Sequence, residues 1–119
     1  MNAYIVAGKR SAVGKAKKGG FRFTRPDDLA ADVIKNLVLS VKGLENEKID
    51  DLIVGNAVPE AEQGMQMARY ISLLALSKDV PGMIINRYCG SGLEAIHLAC
   101  ARVHACLLYT SPSPRDWLQ

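Results

Sequence analysis

No apolar run in this sequence approaches the roughly 20 residues that a helix needs to cross a bilayer, so no membrane span is read. Cysteine is scarce. Three in 119 residues form no even framework, which excludes a disulfide-stapled secreted scaffold and fits a reducing cytoplasm. No leader-like segment is read at the start. Histidine occurs twice, and no metal-ligand spacing, P-loop or G-x-G-x-x-G is found, so zinc modules and nucleotide cradles are excluded. Aromatics make up only 6%, and none interleave with basic residues as a base-stacking platform would require. The net charge of +3 is too small to demand a polyanionic partner. What remains is ordinary globular composition, 49% hydrophobic and 23% charged, in a length that allows one domain with a modest core.

One absence is local. The stretch before Asp27 holds no acidic residue, yet it carries Lys9, Arg10, Lys15, Lys17, Lys18, Arg22 and Arg25. A transit peptide does not fit, because residues 3–7 read as a strand and Gly14, Gly19 and Gly20 would break any helix after it. A solvated loop is preferred to a phosphate-binding patch, since charge runs usually face water.

Along the chain the elements alternate as they do in a parallel sheet. Tyr4–Ala7 reads as a first strand. Pro26 and the acidic pair Asp27-Asp28 mark a helix start, with negative charge at the positive end of the dipole. Leu29, Val33, Leu37 and Val41, flanked by Ile34 and Val38, give that helix one apolar face, and it stops near Gly43. Leu52-Ile53-Val54 reads as a second strand. A second helix, 63–77, points Met65, Ala68, Ile71, Leu74 and Ala75 at a core, while Leu73 and Leu76 make another side apolar and suggest a partner. Met83-Ile84-Ile85 reads as a third strand. The last helix, to about Ala105, is apolar nearly all round and should be covered on both sides.

Between that strand and that helix lies Asn86-Arg87-Tyr88-Cys89-Gly90-Ser91-Gly92-Leu93-Glu94-Ala95. Ser91 and Glu94 have the spacing of a capping box. Cys89 therefore falls on a strand-to-helix elbow, where the helix N-terminus favours a thiolate, the nucleophilic form. Gly90 and Gly92 lack a Cβ, so backbone N–H groups could approach a substrate carbonyl. These parts suit covalent acyl chemistry. A buried, inert thiol is the competing reading, because free cysteine commonly packs as a small hydrophobe.

The run Asn86 to Ile96 closely resembles the active-site segment of the thiolases, the acetyl-CoA acyltransferases. The resemblance extends through Val58-Pro59-Glu60 and Gln63–Arg69, back to Tyr4–Ala7, and covers about the first 105 residues. It implies an α/β fold, the N-terminal part of a five-layered αβαβα arrangement of two duplicated halves, with a buried central helix. It also implies that Cys89 is the acyl-accepting nucleophile, its own N–H forming part of the oxyanion site. The implied activity is thiolytic cleavage of 3-ketoacyl-CoA to acetyl-CoA and a shortened acyl-CoA, as in fatty acid β-oxidation. Acyl-CoA and CoA would be substrates, with no cofactor and no metal, no nucleic acid or membrane partner, and a cytoplasmic homodimer or homotetramer as the full-length form. An acetoacetyl-CoA-forming synthetic thiolase and a non-catalytic dimerisation module are the alternatives.

Other chemistry-bearing residues are read as structural. His97 would lie about 12 Å from Cys89 along a helix axis, and His104 farther. Cys100 is read as packing, and Ser91 as a cap. Arg69 would either pair across an interface or lie along the surface. From Cys106 the resemblance ends. Residues 106–119, Cys106 to Gln119, resemble translated sequencing adapter and are expected to be a non-native tail on a partial thiolase domain, 1–105. The N-E-A-F, G-H-P and C-x-G motifs that complete a thiolase site do not occur in this sequence. The chain alone is therefore expected to be inactive.

Overall fold

A computed structural model describes residues 2–108. Three α-helices, α1 (Pro26–Ser40), α2 (Met67–Ala75) and α3 (Ser91–His104), surround two strands, β1 (Leu52–Gly55) and β2 (Gly82–Ile85). Single 3₁₀ turns stand at Asn46–Lys48, Ala61–Gln63 and Tyr88–Gly90. The strands are parallel, with Leu52 opposite Gly82 and Gly55 opposite Ile85. The ladder continues past both ends, where Leu52 N–H donates to Pro81 O (3.1 Å) and Asn56 N–H to Ile85 O (3.0 Å). This is the α/β arrangement that the sequence pattern implies.

Two glycines set how closely the helices lie on the sheet. A Cβ on Gly82 would stand 2.6 Å from the carbonyl carbon and oxygen of Ala68, so the backbone of α2 rests directly on β2. A Cβ on Gly55 would stand 2.5 Å from the carbonyl carbon of Ser91, which brings the first turn of α3 against the end of β1. The core centres on α2, where Met67, Ala68, Ile71 and Ala75 are buried together with Ala31 of α1, Val80 and Ala95. Burying a side chain the size of Ile71 contributes about 1.5–3 kcal/mol. Polar pins add to it. Ser72 Oγ and Arg69 Nη1 both donate to Val80 O, at 2.6 and 2.8 Å, and hold the segment that enters β2. Arg102 of α3 pairs with Asp51, whose Oδ1 also accepts the N–H of Leu52, so the helix is tied to the start of β1.

At the head of α1, Arg25 forks onto Asp27 through Nε and Nη2, at 3.1 and 3.0 Å. The hydrogen bond from Arg25 holds the buried Asp27 carboxyl below its ordinary pKa, against the opposing effect of burial.

Several expectations are corrected. Tyr4–Ala7 forms no strand: Tyr4 is 78% and Val6 84% exposed. A lone extended segment has no ladder partner for its N–H and C=O groups, and apolar residues alone do not supply one. The second helix begins at Met67 rather than 63, because Met65 has a left-handed φ of 56° and stands 83% exposed instead of in the core. Asn56 Nδ2 donates to Gln63 O at 2.8 Å and fixes that non-helical turn. The apolar face of α1 lines open grooves, and the row of Asp27 and Ala31 is the buried one. Finally, α3 is covered on one side only. Ser91 and Ala95 are buried, while Leu93 and Ile96 remain exposed.

Candidate active site

β2 delivers the chain to Asn86, and five hydrogen bonds turn it there. Tyr88 N–H donates to Asn86 Oδ1 (2.8 Å), Gly90 N–H to Arg87 O (3.0 Å), and Arg87 N–H to Ser91 Oγ (2.9 Å). Ser91 Oγ in turn donates to Tyr88 O at 2.6 Å, and the Ser91 N–H donates to the same oxygen. Tyr88 takes a left-handed φ of 48°, a conformation that a side chain bearing Cβ disfavours and that persists only when its surroundings hold it. The expected elbow is therefore present, and Cys89 stands exposed on it, one residue after the strained Tyr88 and just before α3. A buried thiol is ruled out in this chain.

The cap is built differently from the sequence expectation. Gly90 is the N-cap, while Ser91 is already helical (φ −57°, ψ −42°) and reaches backward with its hydroxyl. Glu94 does not complete a capping box. It meets Arg87 Nε at 3.2 Å, which spans the elbow from outside. Both partners reach water, so that pair is worth at most about 1 kcal/mol.

The glycines that follow the exposed Cys89 are unobstructed. A Cβ on Gly92 would meet nothing within 4 Å, and one on Gly90 only the Cβ of Arg87 at 3.9 Å. Among the described residues the amides of Arg87, Tyr88, Gly90 and Ser91 are engaged, and the N–H of Cys89 has no acceptor. An exposed sulfur, its own free amide and a helix N-terminus together make a place where a carbonyl could be attacked and its oxygen received.

The histidines are not brought there. His97, Cys100 and His104 line a shallow cavity of about 480 Å³ with Asn2–Tyr4, and Cys89 is not among its walls. Arg69 follows neither alternative open to it from sequence, since its head binds Val80 O and Lys78 O within the chain. Gly55, Asp51 and Arg102, which position α3, carried no functional signal, although a glycine ending a strand is a sign of close backbone approach. Among the described residues, no group of three or more His, Cys, Asp or Glu could hold a metal, and no helix is long and apolar enough to cross a membrane.

Residues 3–106 match the family described as Thiolase, N-terminal domain, a span that includes the whole elbow. The chain belongs to the thiolase family. It is 51% identical over 102 residues to a 3-ketoacyl-CoA thiolase of Bacillus subtilis, covering 85% of this chain and 26% of that protein. It is 47% identical over 100 residues to 3-ketoacyl-CoA thiolases of Acinetobacter baumannii (strain AYE) and Acinetobacter baylyi, covering 83% of this chain and 25% of each. The chain thus spans about a quarter of the length of these thiolase relatives. Most of the expected tail, residues 109–119 of 106–119, lies outside the described residues.

Proposed function

We propose that this chain carries the nucleophilic half of a 3-ketoacyl-CoA thiolase, with Cys89 as the acyl-accepting residue. The carrying observation is the exposed Cys89 thiol beside its own unengaged N–H at the head of α3. In the reaction proposed, the Cys89 thiolate attacks the ketone carbon of a 3-ketoacyl-CoA. The resulting oxyanion collapses, the bond between the second and third acyl carbons breaks, and acetyl-CoA leaves as an enolate that takes a proton. The thiolate of free CoA then attacks the Cys89 thioester, forming the shortened acyl-CoA and releasing Cys89. CoA is a substrate here, and the scheme draws on no metal or resident cofactor.

The name that the relatives carry, 3-ketoacyl-CoA thiolase, supports cleavage of a 3-ketoacyl-CoA, and a place in cytoplasmic fatty acid β-oxidation is proposed with it. A homodimer or homotetramer is the proposed full-length form. The half-exposed Tyr70, Leu73 and Leu74 on the outer side of α2 support it, because such a face gains by being covered. The 119-residue chain by itself is expected to give no multiple turnover, as the motifs that bring the activating histidine and second cysteine are absent from it.

Partial chemistry is still testable. Incubation with acetyl-CoA, followed by peptide mass spectrometry, should place an acetyl group on Cys89 ahead of Cys100 and Cys106. Free CoA should discharge it, and Cys89→Ser should abolish it. Equal labelling of the three cysteines would refute the assignment.

A further inference from the structure

We infer that Ser91 is a positioning residue that aims the Cys89 amide, a role resting on the acyl-transfer reading of Cys89. The Tyr88 carbonyl and the Cys89 N–H belong to one planar peptide unit, in which C=O and N–H point in opposite directions. Ser91 holds that unit by its oxygen twice, through Oγ at 2.6 Å and through its own N–H. It is 3% exposed, and its hydroxyl cannot swing to water because the Arg87 N–H donates to it at 2.9 Å. With the oxygen drawn toward the first turn of α3, the N–H faces away from the helix, and no described group accepts it there. The same grip sustains the left-handed φ of Tyr88, which would otherwise relax and rotate the peptide plane. Ser91 itself touches no substrate. Its hydroxyl is committed inward, so it acts only through the direction of its neighbour's N–H.

The role separates two reactions of one thiol. Acylation passes through an oxyanion that the Cys89 N–H would receive, whereas alkylation by iodoacetamide forms no oxyanion. A fault in thiol placement slows both, and a misaimed amide slows acylation alone. The native 119-residue chain, Ser91→Ala and Ser91→Thr are compared with two probes, the acetyl thioester of N-acetylcysteamine and iodoacetamide, scored at Cys89 by mass spectrometry. In the acyl step the Cys89 sulfur bonds the acetyl carbon and N-acetylcysteamine leaves as its thiolate. Ser91→Ala should lower the ratio of acylation to alkylation about tenfold, and Ser91→Thr, which keeps the hydroxyl, should stay within about twofold of native. Amide exchange followed by NMR tests the grip separately. The Arg87 N–H should exchange at least tenfold faster in Ser91→Ala and be protected again in Ser91→Thr. Unchanged exchange at Arg87 would overturn the grip, and faster exchange with an unchanged ratio would overturn the aiming. A native Cys89 acylated no faster than the exposed Cys106 would instead refute the acyl-transfer reading, taking the aiming role with it and leaving the exchange result intact.

Discussion

Two short aliphatic runs in this chain, Tyr4–Ala7 and Gly82–Ile85, begin with similar sequence credentials and end in opposite states. The second lies in register against Leu52–Gly55, half-buried, with α2 resting on Gly82. The first pairs with nothing among the described residues and exposes Tyr4, Ile5 and Val6. The segment after each run inherits the difference. After Ile85 comes an elbow fixed by Asn86, Arg87 and Ser91, tight enough to hold a left-handed tyrosine before the candidate nucleophile. After Ala7 comes the basic stretch to Arg25, irregular at first and then a series of turns, whose lysines form no ion pair among the described residues. A loop is as well positioned as the strand that delivers it, and a strand exists only where a partner takes its backbone groups.

The sharpest way to break this contrast is to pry the elbow from its strand. Gly55→Ala places a methyl group 2.5 Å from the Ser91 carbonyl carbon and 2.6 Å from the Gly92 nitrogen, backbone atoms that cannot turn aside. We expect a loss of about 2–3 kcal/mol, read from the urea midpoint, as overpacking of a closed contact commonly costs. A midpoint unchanged from native would mean that α3 slides on β1, and the elbow would then be no better anchored than the N-terminal run.

A smaller effect is expected where the loose segment meets the fold. Arg25, the last residue of the basic stretch, is joined to the first turn of α1 through Asp27. The folded carboxyl has a pKa lowered from the unfolded value of about 3.9, so it contributes stability above that value and loses it as pH falls through the lower folded one. Asp27→Asn should cost about 1 kcal/mol near neutrality. The native and variant stability curves should converge in acid once the native carboxyl is protonated. Parallel curves down to the lowest pH reached would show that the fork carries no net stability.

Much of this was legible from local pattern. The start of α1 at Pro26, the strand Leu52–Val54, and the strand, elbow and helix around Cys89 all rest on signals a few residues wide: proline and acid pairs, aliphatic runs, glycines. The missed features depend on distant partners. Arg102 and Asp51 lie far apart in sequence, and nothing local to either announces their pairing. Arg69 offers in sequence only an interface pair or a surface stem, because backbone carbonyls, its actual acceptors, are invisible as sequence. The spacing of Ser91 to Glu94 suggests a cap, but Ser91 already stands inside the helix behind the N-cap Gly90, so its hydroxyl reaches back to Tyr88 O while Glu94 meets Arg87. The motifs that complete a thiolase site are simply not among these 119 residues.

The weakest expected effect is also the cleanest statement of the contrast. Val6 borders a cavity of about 230 Å³ with Leu37, Val38, Leu44 and Leu76, yet it is 84% exposed. Its apolar area is thus mostly in water already, and little transfer energy can be lost by making it polar. Val6→Ser should shift stability by less than about 0.5 kcal/mol, the usual scale for a solvent-facing site. A loss above about 1 kcal/mol in the urea midpoint would mean that Val6 is covered in solution, with Tyr4–Ala7 packed as a structural element. Near-neutrality would leave the apolar character of that run without a role in the stability of this chain, as expected of a would-be strand that lacks its neighbour.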